Sequence, residues 1–368
     1  LHWPIAMDLF QRMTKEGTSP DVVTYNSIIS ACGNGQQWVQ ALQLLQEMCK
    51  SKLRPDVITY SATISALAKG QQWKLAFKLL HEMQSNGVRL DVIGCNSIIN
   101  ACAMGHQWNL ALQLLHDMQT AQMQPDTISY SAAISACEKS CEWEQALGLL
   151  QEMQQKHIKL DVITYSTMIS ACEKGHQWSV ALGLFQQMRQ ERIRPNVITY
   201  SAMISACEKG QHWEKALEFH HAMRRESTQR DVIAYNATIS ACEKCQQWEE
   251  ALSLLDQMQQ EQVKPDLISH SAAISACEKG NRGDLAVSLL RNMRSAGLSP
   301  NVITYNATIS AAGRGQQWTV ALDLLKEMRS FEVMPDSVSF SAAIAACKRS
   351  QQTHMVPNLM RELRQVKP

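Results

Sequence analysis

Two sets of side chains recur along this chain, and each is restricted to two residue types. The first contains only Asn or Ser: Asn26, Ser61, Asn96, Ser131, Ser166, Ser201, Asn236, Ser271 and Asn306. The second contains only Asp or Asn: Asp56, Asp91, Asp126, Asp161, Asn196, Asp231, Asp266, Asn301 and Asp336. An ionised Asp only accepts hydrogen bonds, whereas an Asn amide also donates. Ser is compact, while Asn is longer and fills space. Folding has little reason to choose within either set. Asp and Asn cap helices about equally well, and Ser and Asn differ little on an exposed helical face.

Stepping along the second set locates the elements that carry these residues. From Asp21 to Asp336 every step is 35 residues, with no insertion. Nine full repeats occupy 22–336; the segment 1–21 reads as the second helix of a truncated repeat, and 337–368 as a degenerate terminal repeat. A period of this size means stacked supersecondary units with one continuous core. Opening on Leu1 within a half repeat predicts a fragment, with any transit peptide lying before it.

Each repeat reads as two helices. The first spans Asp21 to Gly35, with Asp21 as N-cap after the break at Pro20. Val22, Tyr25, Ile29 and Cys32 form its buried stripe, and "GNG" closes it. A separate face carries residues 23, 26, 30 and 34. The second helix spans Gln36 to Leu53, with Trp38, Ala41, Leu42, Leu45 and Met48 on its apolar side. The expected architecture is an all-α stack of antiparallel helix pairs.

Composition and motifs narrow the function classes. The chain is 45% hydrophobic, 6% aromatic and 19% charged, with a net charge of +1, so nucleic-acid affinity must rest on where charges sit. No apolar run approaches the roughly 20 residues of a membrane span. Eight cysteines occupy one repeat position that elsewhere holds Leu67 or Ala312, which marks a packing slot suited to a reducing compartment. Cys242-x-x-Cys245 has the spacing of half a zinc site, but no second pair follows. The Trp series, Trp38 to Trp248 and Trp318, reads as core of the second helix, with Gly283 and Thr353 as exceptions. No phosphate loop, zinc-protease or nucleophile-elbow motif is present. No enzyme activity, metal, cofactor, small-molecule substrate or membrane partner is expected.

The period, the "PDVVTYN" and "PDVITYS" openings and the "AL-LL-EM" second helices resemble the pentatricopeptide repeat family. Uninterrupted repeats resemble its pure-repeat subclass, and the tetratricopeptide signature W-x₂-L-G-x₂-Y is absent. The resemblance implies a right-handed superhelical solenoid of antiparallel helix-turn-helix repeats. It further implies a groove that binds single-stranded RNA, one base per repeat, and a location in a chloroplast or mitochondrion. In that family, bases are read by an Asn or Ser together with the residue that opens the next repeat. Asn with Asp implies U, Ser with Asp implies G, and Ser with Asn implies A.

The donor and acceptor inventories agree: Asp accepts from the imino N–H of uracil or guanine, and Asn donates to the bare ring nitrogen of adenine. Compact Ser leaves room for a purine. Taking the pairs in order, with the N-terminus toward the RNA 5′ end, yields 5′-UGUGAGUAU-3′. By the same resemblance Val23, Ile58, Ile93, Ile128, Ile163, Ile198, Ile233, Ile268 and Ile303 sandwich the bases. Lys69, Lys139, Lys174, Lys209, Lys244, Lys279 and Arg314 are the phosphate candidates on the same face. Taken singly, each residue has a plainer reading, as core, surface filler, solvated charge or simple cap. The restriction across nine repeats, joined to the resemblance, favours recognition. The rival reading is a protein-interaction scaffold that binds a peptide in the same groove. In the third repeat Gly94 and Cys95 replace Thr and Tyr, and the Gly is expected to weaken that helix.

Overall fold

The computed structural model describes residues 3–226 and 231–366; the outermost residues of the two predicted terminal segments lie outside these. Every described repeat contains two α-helices, and no strand occurs among the described residues. The first helices are Val22–Asn34, Val57–Lys69, Val92–Met104, Thr127–Lys139 and Val162–Lys174, then Val197–Lys209, Val232–Lys244, Leu267–Lys279, Val302–Arg314 and Ser337–Arg349. The second helices begin with Trp38–Lys50 and recur through Trp318–Ser330. A further helix, Trp3–Lys15, precedes them, and the chain closes with a 3₁₀ turn at Thr353–Met355 and the helix Val356–Val366. Pro357 falls in the first turn of that last helix, where its missing N–H costs nothing.

The helices pack as two compact bodies, Leu1–Gly175 with Gly183–Arg194, and His176–Leu182 with Pro195–Pro368. Within each body, the first helix of one repeat packs on the first helix of the next. Fully buried alanines such as Ala66, Ala136 and Ala276 permit that approach. The buried stripe is wider than the periodicity suggests: Tyr25, Ile28, Ile29 and Cys32 all enter the core, while Val22 stays half-buried. On the second helix Leu44 joins Ala41, Leu45 and Met48 in the core, and Leu42 is half-buried. All eight cysteines of the common slot are buried, as are Leu67 and Ala312. Burial pushes the thiols of Cys102, Cys137, Cys207 and Cys242 up to about 12. Cys245 donates its thiol proton to Gln211 O.

The closing glycines have a different role from the expected one. Gly70 has φ −81 and ψ 6, an ordinary conformation, and Gln71 after it takes the left-handed one at φ 58. What Gly70 supplies is space. A β-carbon there would lie 2.4 Å from Trp38 Cδ1, and Gly105 and Gly175 stand in the same relation to Trp73 and Trp143. Each Trp is therefore half-buried against the next repeat. The helix at Gly94 keeps the full 13 residues of its neighbours. Cys95 fills the Tyr slot there, and Leu90 occupies the space a β-carbon on Gly94 would need.

Candidate nucleic-acid interface

Ile233 and Tyr235 lie two residues apart on one helix and meet opposite fates. Tyr235 is fully buried, whereas Ile233 is 64% exposed. The whole series behaves alike: Val23, Ile58, Ile93, Ile128, Ile163, Ile198, Ile233, Ile268 and Ile303 are all between 60% and 69% exposed. The reading of these residues as core is thus overturned. One bulky apolar side chain left in solvent needs no explanation, but one in every repeat at the same position forms a ridge that does.

The Asn and Ser residues do not stand on an open surface. Asn26, Ser61 and Ser166 are buried and the other six are half-buried, because the helix opening of the following repeat packs beside them. At each opening the Asp or Asn side chain caps its helix, accepting from the backbone N–H three residues on at 2.7–2.9 Å. Only an oxygen can accept that bond. A capping Asn is left with its NH₂ and a capping Asp with its second oxygen, so the cap decides whether a donor or an acceptor remains.

The structure brings most of the expected pairs into contact. Asn26, Asn96 and Asn236 donate Nδ2–H to Asp56, Asp126 and Asp266 at 3.2 Å, and Asn306 donates to Asp336 at 3.1 Å. The Ser61 hydroxyl donates to Asp91 at 3.2 Å. Ser131 and Ser271 instead donate to carbonyls of their own helices, Thr127 O and Leu267 O, and adjoin the hydroxyls of Thr164 and Thr304. Neither bonds directly to Asp161 or Asn301. The Ser201 hydroxyl is buried with no hydrogen-bond partner, while Asp231 caps the next helix. Ser166, in the first body, donates to Val162 O, and Asn196 caps a helix of the second body. Burial pushes the carboxyls of Asp56, Asp126, Asp266 and Asp336 up, but the N–H and hydroxyl three residues on and the Asn amide outweigh it. All four are held below the ordinary carboxylate value.

Pairs and ridge line common cavities. One of about 520 Å³ is bordered by Ile93, Asn96, Asp126, Ile128, Ser131, Asp161 and Ile163. Another of about 240 Å³ is bordered by Ile58, Ser61, Lys69, Asp91 and Ile93. A cavity of about 550 Å³ elsewhere, between Arg294 and Phe331, contains none of these residues.

The cations of the series sit in a more neutral setting than their charge implies. Lys174 pairs with Glu138 at 2.6 Å, Lys244 with Glu208 at 3.0 Å, Lys279 with Glu243 at 2.7 Å and Arg314 with Glu278 at 3.2 Å. Lys69 donates to Asn34 Oδ1, Lys139 rests on Met104 Sδ, and Lys209 ends the helix Val197–Lys209. Sequence reasoning missed this acidic series. Its signal is the recurring "CEK", which sets a Glu 36 residues before the cation of the next repeat. Also missed are the hydroxyls of Thr59, Ser129, Ser269 and Ser339, three residues after their caps, which touch the Asn side chains of the preceding repeats.

A model described as a pentatricopeptide repeat domain matches residues 4–35, 78–140 and 148–209. A second, for the PPR repeat family, matches 20–69, 230–279 and 300–349, and a third, for the single PPR repeat, matches 58–88, 128–158, 198–227 and 268–298. The chain belongs to the pentatricopeptide repeat family. Its fold is also that of the PPR protein PPR10 solved in complex with an 18-nucleotide psaJ RNA element. The TM-score is 0.69 at 20% identity, over 100% of this chain and 59% of that one. The structure of PPR10 from maize matches with TM-score 0.61 at 18% identity, over 99% of this chain and 62% of that one. This PPR chain therefore spans about six-tenths of the solved chains it resembles, and it shares their α-α superhelical class. No curated protein matches it in sequence.

Proposed function

We propose that this PPR array binds single-stranded RNA in a sequence-specific manner, one base per repeat, with a target near 5′-UGUGAGUAU-3′. One observation carries the reading. An exposed aliphatic ridge alternates with recessed polar pairs, and each pair's second member is fixed by its cap so as to leave a defined donor or acceptor. Flat apolar rings fit between ridge side chains, and the remaining hydrogen-bonding groups face their edges. A peptide, with backbone groups alike at every residue, gives no reason for alternating Asp with Asn at a cap. The RNA-bound PPR10 with the same fold supports the ligand class, and the array acts by occupancy. Such occupancy shields a transcript or guides another RNA-processing factor, in an organelle.

The test is Asn301→Asp in the eighth repeat. Asn301 caps through Oδ1 with Thr304 N at 2.9 Å, leaving Nδ2 to donate to adenine N1. An Asp in its place caps equally well but presents an acceptor, which opposes adenine N1 and suits guanine N1–H. Affinity for UGUGAGUAU and UGUGAGUGU is measured for both proteins. The expected outcome is a crossover of preference, by about 1–3 kcal/mol for the mismatched acceptor. Parallel losses on both RNAs, or indifference to a scrambled nonamer, would remove the proposal.

A further inference from the structure

Four hydroxyls lie at the third helical position of a first helix, next to an Asn of the preceding repeat: Thr59, Ser129, Ser269 and Ser339. All four are fully buried, so each must place its single proton. The nearest acceptor is the Asn carbonyl oxygen. Thr59 Oγ1 lies 2.6 Å from Asn26 Oδ1, Ser129 Oγ 2.6 Å from Asn96 Oδ1, and Ser269 and Ser339 Oγ 2.5 Å from Oδ1 of Asn236 and Asn306. The capping carboxylates are farther from the same hydroxyls, at 2.8–3.0 Å.

The bonds around each Asn close into a ring. The backbone N–H of the capping Asp donates to the hydroxyl at 3.1–3.2 Å, the hydroxyl donates to the Asn carbonyl, and the Asn amide donates to the Asp carboxylate. Two groups face outward: the second Nδ2–H and the outer carboxylate oxygen, which at Asp56 and Asp266 the Asn amide also approaches, at 3.4 and 3.3 Å. They form a donor beside an acceptor, the complement of uracil O4 beside N3–H. Cytosine presents the opposite order, with an amino donor beside a bare ring nitrogen. The hydroxyl, together with the carboxylate that accepts from Nδ2, therefore opposes an amide turned with its oxygen outward toward the cytosine amino group.

The chain holds its own contrast. In the third and seventh repeats, Gly94 and Ala234 replace the hydroxyl residue, and their partners in the preceding repeats are Ser61 and Ser201, not Asn. Ser61 then reaches its Asp directly, and Ser201 is left without a partner. All four Asn residues precede a hydroxyl.

We propose that Thr59, Ser129, Ser269 and Ser339 are positioning residues that lock the adjacent Asn amide and so set discrimination of uracil against cytosine. The inference rests on the RNA reading above and deepens it. The test uses the whole chain with UGUGAGUAU and UGUGAGCAU, which differ at the base assigned to Asn236 and Asp266. Ser269→Ala is expected to lower the uracil-to-cytosine affinity ratio roughly threefold to tenfold, as loss of one hydrogen bond implies. Ser269→Thr is expected to keep it. A purely structural role would lower affinity for both RNAs and leave the ratio alone, which overturns the inference. Absence of any uracil preference in the parent chain overturns the RNA reading itself, and this inference with it. A second pair of variants avoids removing a buried group. Ser201→Asn with Ala234→Ser should prefer UGUGAUUAU over UGUGACUAU by a ratio at least about threefold above that of Ser201→Asn alone. Equal ratios overturn the inference while the reading stands.

Discussion

The two sides of each first helix obey different rules, though their residues recur at the same spacing. On the buried side, the Tyr25 slot also takes Cys95, His270 and Phe340, and the Cys32 slot takes Leu67 and Ala312. Those slots are filled by volume, and unlike chemistries replace one another. On the groove side the ridge stays Val or Ile, and the recessed residues exchange only Asn with Ser. The openings exchange only Asp with Asn. A core position senses shape, whereas a groove position senses which atoms remain after the helix is capped.

Substituting one residue from each side tests that contrast most severely. Ile239→Ala, in the core, is expected to cost about 2–5 kcal/mol in a urea titration and to leave base preference unchanged. Ile268→Ala, on the ridge, is expected to leave stability within about 0.5 kcal/mol. It should weaken RNA binding by up to about 1 kcal/mol, at the low end of measured base stacking. Similar stability losses for both variants would break the comparison.

A smaller effect is expected at the groove edge. Glu243→Gln removes the partner of Lys279, a pair at 2.7 Å with the Lys side chain 36% exposed. Stability should fall by less than about 1 kcal/mol. The dependence of log affinity on log salt should steepen by up to about 0.7, since one cation becomes free for phosphate. An unchanged slope would mean that this edge does not meet the RNA backbone.

The smallest effect is acid-dependent. The folded-state carboxyls of Asp56, Asp126, Asp266 and Asp336 lie below their ordinary value of 3.8. Their contribution to stability is therefore complete above that value and is lost as pH falls through the lowered ones. Thermal midpoints followed from about pH 5 to about pH 2 should decline, and Asp266→Asn should shed its share of the decline. The helices capped by Asn196 and Asn301 provide the non-titrating reference.

Much of the fold is legible in the sequence because its signals are local. Asp21 and the residues in its place announce caps, and Tyr25, Ile29 and Cys32 announce a buried stripe, all within one helix. What escapes is whatever joins residues 30 to 36 apart. The recess around Asn26, the Thr59 hydroxyl against it and the Glu138–Lys174 pair all depend on how closely one hairpin sits on the next. Spacing alone does not give that distance. The ridge was open to two readings for the same reason: Ile58 is as apolar as Ile64, and only the stacked helices decide which one water reaches.

The tryptophan that begins one repeat's second helix and the glycine that ends the following repeat's first helix form a lock and keyway that straddles a repeat boundary. Trp38 belongs to one repeat and Gly70 to the next, so exchanging repeats as cassettes must carry both halves or match them at the splice. The chain already contains a matched substitution: Gly283 takes the tryptophan place before Gly315, and a β-carbon on Gly283 would meet Ala311 O at 2.9 Å. A cassette bearing Trp in place of Gly283 would collide with that backbone. Arrays reassembled for new targets should therefore be cut in the short link between the closing glycine and the second helix, so that the tryptophan travels with the seam downstream.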